Sequence, residues 1–215
     1  LGFLCIPSMT INPSFSININ VSFLVMKNIL LFVTIFLINV NLSASENKKA
    51  YFAGGCFWCM EESFDSVNGV LSSVSGYSGG HLKNPTYQDV IYKDTGHVEA
   101  IEITYNPKIV SYEKLLNIYW KNIDPFDAEG QFCDKGKSYR SVIFFQNQLE
   151  KEFINKSFKD LENKFSNKIV TLVWKFDKFY PAEDYHKDYY EKNFIRYLMY
   201  KKGCKREETL KRIWN

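Results

Sequence analysis

The sequence predicts an α+β fold, a single domain with a mixed, mostly antiparallel sheet flanked by helices, over residues 45–215. Three observations carry that reading. Strand-like and helix-like segments succeed one another without the regular alternation of a parallel α/β sheet. Val98–Tyr105 alternates as a half-buried strand does, with Ile101, Ile103 and Tyr105 facing one way and Glu102 and Thr104 the other. Aromatic residues make up 17% of the chain, which supports a large buried core and argues against disorder.

The elements follow in order. Residues 49–53 are short and apolar and read as a buried strand running into Gly54-Gly55. Residues 56–64 have helical character, and 70–77 read as a strand closed by Ser78-Gly79-Gly80. Asn106-Pro107 ends the strand at 98–105. Ser111 is placed to cap a helix to about residue 122, with Leu115, Leu116, Tyr119 and Trp120 on one face. Residues 124–140 read as a loop, 142–145 as a strand, 148–165 as an amphipathic helix and 169–176 as another strand. Pro181 opens a last region with a helix expected at 182–193. The basic tail from about 201 reads as a solvated helix, and Cys204 as sitting in a mobile segment.

The first 44 residues carry one charged side chain, Lys27. Residues 1–25 read as a non-native upstream extension. Met26-Lys27-Asn28, the apolar run 29–40 and Asn41-Leu42-Ser43-Ala44 read as a signal peptide or N-terminal anchor at 26–44, the apolar run falling short of the ~20 residues of a spanning helix. The expectation is an exported, periplasmic protein that meets a membrane only if the leader is uncleaved. A formal net charge of +3 gives no electrostatic reason to expect nucleic acid. A monomer is expected.

The sharpest chemical feature is Ala53-Gly54-Gly55-Cys56-Phe57-Trp58-Cys59. A strand passes through two glycines into a helix whose first turn begins with a thiol. Unpaired amides and the helix dipole there favour negative charge, so Cys56 is expected to have a lowered pKa. The glycines are expected to let a substrate approach the backbone. Phe57 and Trp58 suggest an apolar pocket for a small group. Against this stand a buried structural Cys, a zinc site lacking a matched second Cys pair, haem attachment lacking the required His, and a thioredoxin-like Cys-x-x-Cys. Glu99 shares the parity of Ile101 and Ile103, so it points with the apolar set. Burial raises a carboxyl pKa, which makes Glu99 a candidate proton donor near neutral pH.

Taken together and in order, these segments resemble type A methionine sulfoxide reductases. The matching pieces are Gly55-Cys56-Phe57-Trp58 with Glu61, then Ser75 through Gly80, Asn84-Pro85-Thr86-Tyr87 and Thr95-Gly96-His97-Val98-Glu99. Asp134 through Gly136 to Tyr139-Arg140-Ser141 and Phe179 through His186 complete the match, over roughly residues 50–190. The resemblance implies reduction of S-epimer methionine sulfoxide, free or in proteins. It implies Cys56 as nucleophile, Glu99 as proton donor, Tyr87 and Tyr139 as hydroxyls on the sulfoxide oxygen with Asp134 beside them, and Phe57 and Trp58 as the methyl cage. Cys56 would become a sulfenic acid, then a disulfide with Cys204, Cys59 or Cys133. A thioredoxin-like dithiol would reopen it, with no bound cofactor.

Two departures stand out. Ser138 replaces the Gln common before the motif tyrosine, and Cys133 stands where many relatives carry a small polar residue. His81, His97 and His186 read as hydrogen-bonding structural residues, and no metal is expected. The alternative function is a thiol–disulfide oxidoreductase using Cys56 and Cys59. A non-enzymatic binding module with an aromatic pocket is the third.

Overall fold

The structure, a computed structural model, describes residues 46–215. The extension expected at 1–25 and the leader expected at 26–44 lie outside the described residues. In chain order the strands are β1 (Lys48–Gly54), β2 (Val70–Ser78), β3 (Val98–Tyr105), β4 (Gly130–Gln131), β5 (Asp134–Lys135), β6 (Ser141–Phe145), β7 (Leu172–Lys175) and β8 (Phe179–Pro181). The helices are α1 (Phe57–Asp65), α2 (Tyr87–Tyr92), α3 (Tyr112–Lys121), α4 (Gln148–Lys164), α5 (Tyr189–Lys192), α6 (Phe194–Gly203) and α7 (Arg206–Trp214). Among the described residues no helix is long and apolar enough to cross a membrane.

Six strands form one sheet in the order β7-β6-β1-β3-β2-β8. Every neighbouring pair is antiparallel except β6 and β7. A parallel pair needs a long crossover, and the 17-residue α4 supplies it. The α+β expectation holds, with this one βαβ unit making the sheet mixed.

Both faces of the central strands are covered. On one face Phe52, Ile101, Ile103 and Ile143 pack beneath Met60 and Phe64 of α1 and Leu115, Leu116 and Tyr119 of α3. Each such side chain stabilises the fold by about 1.5–3 kcal/mol on burial. On the other face Tyr51, Val98, Ala100, Val142 and Phe144 lie under Trp174, Phe176 and Phe179. The period-2 pattern of β3 therefore separates two apolar environments at its start and an apolar from a polar one only at its end.

The Ser111 cap forms as expected, its side chain accepting from the Lys114 N–H at 3.2 Å. Four expectations are corrected. Residues 124–140 are not plain loop, since β4 and β5 pair there and a 3-10 turn spans Lys137–Tyr139. The strand at 169–176 is shorter, because the Val170 N–H is donated to the Pro125 carbonyl rather than to the sheet. The helix at 182–193 is broken into a 3-10 turn (Asp184–His186) and α5, with Asp188 between them at φ 53°. The Asp188 N–H is instead aimed at the buried Glu61 carboxylate, at 3.4 Å. Finally, the tail is packed. Tyr197 and Arg206 are buried, and the Trp214 indole donates to the Ile123 carbonyl. Cys204 is fixed in a disulfide with Cys133.

Candidate active site

β1 delivers the chain through Gly54-Gly55 to Cys56, which is the N-cap of α1 rather than a residue of its first turn. Gly55 has φ 78°, and a Cβ there would sit 2.5 Å from Cβ of Gln131. Gln131 is buried and grips the Asp124 backbone with both ends of its amide. The glycine is thus required by internal packing of the 124–131 segment, not by close approach of a ligand as expected.

Glu99 lies opposite Tyr77 in the β2–β3 ladder and is 2% exposed. Its carboxylate accepts the Phe57 N–H at 3.0 Å. Burial pushes its pKa well above the ordinary carboxyl range, and the Phe57 bond only partly opposes this. The buried acid expected from strand parity is therefore present, and its burial favours the protonated form.

The same hydrogen bond corrects the expectation for Cys56. The first amide of α1 is spent on Glu99, and Cys56 makes no side-chain capping bond. Burial raises its thiol pKa well above the ordinary value, reinforced by Cys59 and Glu99 and opposed by a hydrogen bond from Tyr200. Its neighbour moves the other way. Cys59 is brought down to about 7, chiefly by the hydrogen bond it accepts from Cys56, with help from Arg206 and the Tyr197 hydroxyl.

Cys56, Phe57, Trp58, Tyr87, Glu99, Asp134, Tyr139 and Tyr200 line one pocket of about 90 Å³. Every residue read as catalytic or caging from the sequence is brought here. Phe57 is fully buried, and the Trp58 ring stacks on Tyr189 at 3.8 Å. The Trp58 indole N–H donates to Nδ1 of His186 at 3.2 Å. Burial lowers the His186 pKa, which favours the neutral ring that accepts at Nδ1. His97 is likewise structural, bridging the Gly80 N–H and the Leu82 carbonyl. Tyr87 and Tyr139 line the same pocket, and burial raises both phenols above the ordinary tyrosine value.

Of the other cysteines, Cys59 touches Cys56, while Cys133 and Cys204 are bonded to each other beside Asp134. Those last three residues are the one potential metal-donor trio among the described residues, but its sulfurs are joined and its carboxylate accepts from Tyr200. Sequence reasoning missed Tyr189, Tyr200 and Arg206. The available signal was the run of tyrosines at 189, 190, 197 and 200, of which 197 and 200 share a helix face. The tail's charge drew the reading toward solvent instead.

A family model described as peptide methionine sulfoxide reductase matches residues 48–215. The chain is 46% identical over 173 residues to the peptide methionine sulfoxide reductase MsrA of Bacillus licheniformis, covering 80% of this chain and 96% of that one. It is 48% identical over 169 residues to the MsrA of Listeria monocytogenes, covering 78% and 96%. Among solved structures, reduced Mxr1 from Saccharomyces cerevisiae superposes with a TM-score of 0.66 at 29% identity, over 70% of this chain and 87% of that one. Methionine sulfoxide reductase A of Corynebacterium diphtheriae gives 0.62 at 28%, over 68% and 75%. The match runs from the first described strand to the last helix and takes in the whole pocket, and the chain belongs to the peptide methionine sulfoxide reductase family.

Proposed function

We propose that this protein reduces the S epimer of methionine sulfoxide, free and in proteins, to methionine, with Cys56 as nucleophile. One observation carries the reading: a single small pocket holds a cysteine sulfur and a buried carboxyl whose pKa is raised by burial. A neutral sulfoxide is a poor electrophile until its oxygen gains a proton, so the two groups must act on the same substrate. The Cys56 thiolate attacks the sulfoxide sulfur while Glu99 protonates its oxygen. The oxygen and that proton end on Cys56 as a sulfenic acid, and the two-electron-reduced methionine leaves. The hydroxyls of Tyr87 and Tyr139, which line the same pocket, hydrogen-bond the sulfoxide oxygen. Phe57 and Trp58 enclose the methyl group.

Cys59 is the free thiol in contact with Cys56. It condenses with the sulfenic acid, releasing water and leaving a Cys56–Cys59 disulfide, which an external thioredoxin-like dithiol reopens. Its depressed pKa also favours the second reading, thiol–disulfide exchange through this pair. Separated S and R epimers with dithiothreitol distinguish the two. S-only turnover abolished by Cys56→Ser, with one full turnover surviving in Cys59→Ser, supports the reductase; no turnover of either epimer by folded protein sinks it.

The leader motif at 26–44 supports export, and the Cys133–Cys204 disulfide suits an oxidising compartment. Recovery of the protein only in the cytoplasmic fraction of its cells would overturn that placement.

A further inference from the structure

A disulfide between Cys56 and Cys59 has to be reopened by an external dithiol, yet both residues are almost wholly covered. Cys56 is 5% exposed and Cys59 1%. In thiol–disulfide exchange the attacking thiolate must touch a sulfur, so the rate depends on access. The cover is α6. Its Tyr197 is buried against Cys56 and Cys59, with Trp58, Tyr189, Tyr190 and Tyr200 packed around them. The Tyr197 hydroxyl donates to Glu62 of α1 at 2.6 Å, and Lys201 pairs with the same carboxylate at 2.8 Å. Tyr200 lines the pocket and sets its ring edge-on to Trp58 at 6.2 Å. A reductant the size of a thioredoxin reaches the inner pair only when α6 moves.

The Cys133–Cys204 disulfide is placed differently. Cys133 is exposed and Cys204 half-buried, so an external thiolate can reach the bond. It ties the turn between β4 and β5 to the C-cap of α6, the helix that covers the inner pair. Both ends are anchored. Asp134, next to Cys133, accepts from the Tyr200 hydroxyl. Arg206, two residues beyond Cys204, is buried, lies 4.4 Å over the Phe132 ring and donates to the Asn122 carbonyl. We propose that Cys133–Cys204 is a second redox-active site, a gate that a thioredoxin-like dithiol opens before it can reach Cys56–Cys59. A thiolate of the reductant attacks the Cys133 sulfur, the bond to Cys204 breaks, and Cys204 leaves as a thiolate that takes up a proton. The second thiol of the reductant then displaces Cys133 from the mixed disulfide. Two electrons and two protons have moved to the protein, and the reductant departs as its own disulfide. α6 is now held by noncovalent contacts alone and swings off α1. A second dithiol molecule reduces Cys56–Cys59 by the same two steps. The outer pair passes no electrons to the inner one; it controls access to it.

The gate rests on the Cys56–Cys59 disulfide of the proposed cycle, and its test separates the two claims. Protein with the outer bond intact is treated with the S epimer without reductant, then mixed with reduced thioredoxin. Samples are quenched with acid at intervals, alkylated in denaturant and mapped by mass spectrometry. Cys133–Cys204 should open about ten times faster than Cys56–Cys59, and the inner bond only in molecules whose outer bond is already cut. In Cys133→Ser/Cys204→Ser, verified as folded by circular dichroism, thioredoxin should open the inner bond about tenfold faster than in the wild type with its outer bond intact. Steady-state turnover with thioredoxin should persist in that variant. Wild-type molecules with the inner bond open and the outer bond intact would overturn the gate, as would an unchanged opening rate in the variant. Loss of thioredoxin-supported turnover in the folded variant would overturn it too, by making the outer pair an electron relay. Failure of the S epimer to produce any Cys56–Cys59 disulfide would instead remove the resolving step beneath it.

Discussion

Glu99 and Cys56 illustrate how far a single residue can be read from sequence. The inward direction of Glu99 follows from parity on an alternating strand, and its raised pKa follows from burial. The state of Cys56 does not follow from its own surroundings in the chain, because the amide expected to serve it is donated to a carboxylate 42 positions away. The prediction at this scale concerns the acid. Glu99→Gln keeps the shape and the acceptor for the Phe57 N–H but removes the proton. First-turnover rate should fall about 10²–10⁴-fold. The sign with pH is fixed by the raised pKa: the protonated form is present below it and lost as pH rises through it. Wild-type single-turnover rates should therefore carry a falling alkaline limb that is absent from the Glu99→Gln profile.

At the scale of elements, those with strong periodicity were legible. Val98–Tyr105 and the helix capped by Ser111 sit where their patterns place them. What was hidden depends on contacts between distant segments. No local pattern forces Asp188 into a left-handed turn; the Glu61 carboxylate it reaches lies 127 positions earlier. The junction of β1 and α1 gives this scale its test. Gly55→Ala places a side chain on a left-handed backbone and against Gln131. The left-handed conformation alone should cost about 1–3 kcal/mol, read as a lower denaturant midpoint. Activity should fall beyond what the loss of folded protein explains, because Cys56 and the segment gripped by Gln131 move together. A midpoint equal to wild type would contradict the packing described here.

For the molecule as a whole, fold class was readable because strands and helices are interleaved irregularly and the aromatic content demands a large core. The wrapping of the C-terminal helices over the site was not. Their charges looked solvated, and only folding reveals that Tyr197, Tyr200 and Arg206 turn inward. Nor does sequence dictate that Cys133 pairs with Cys204. That bridge closes a loop of 71 positions, and loop-closure entropy gives it about 4 kcal/mol of stabilisation. The Cys133→Ser/Cys204→Ser protein should therefore unfold at clearly lower denaturant without reductant, and the gap from wild type should shrink when dithiothreitol is added. The long reach of the C-terminal helices has a further consequence for synthesis. Arg206 meets Met60 across 146 positions. A ribosome-bound chain exposes its Cys-x-x-Cys early and cannot shelter it until the segment around Arg206 has emerged, so the newborn protein passes through a stage in which its reactive dithiol is open to any oxidant or partner thiol it meets.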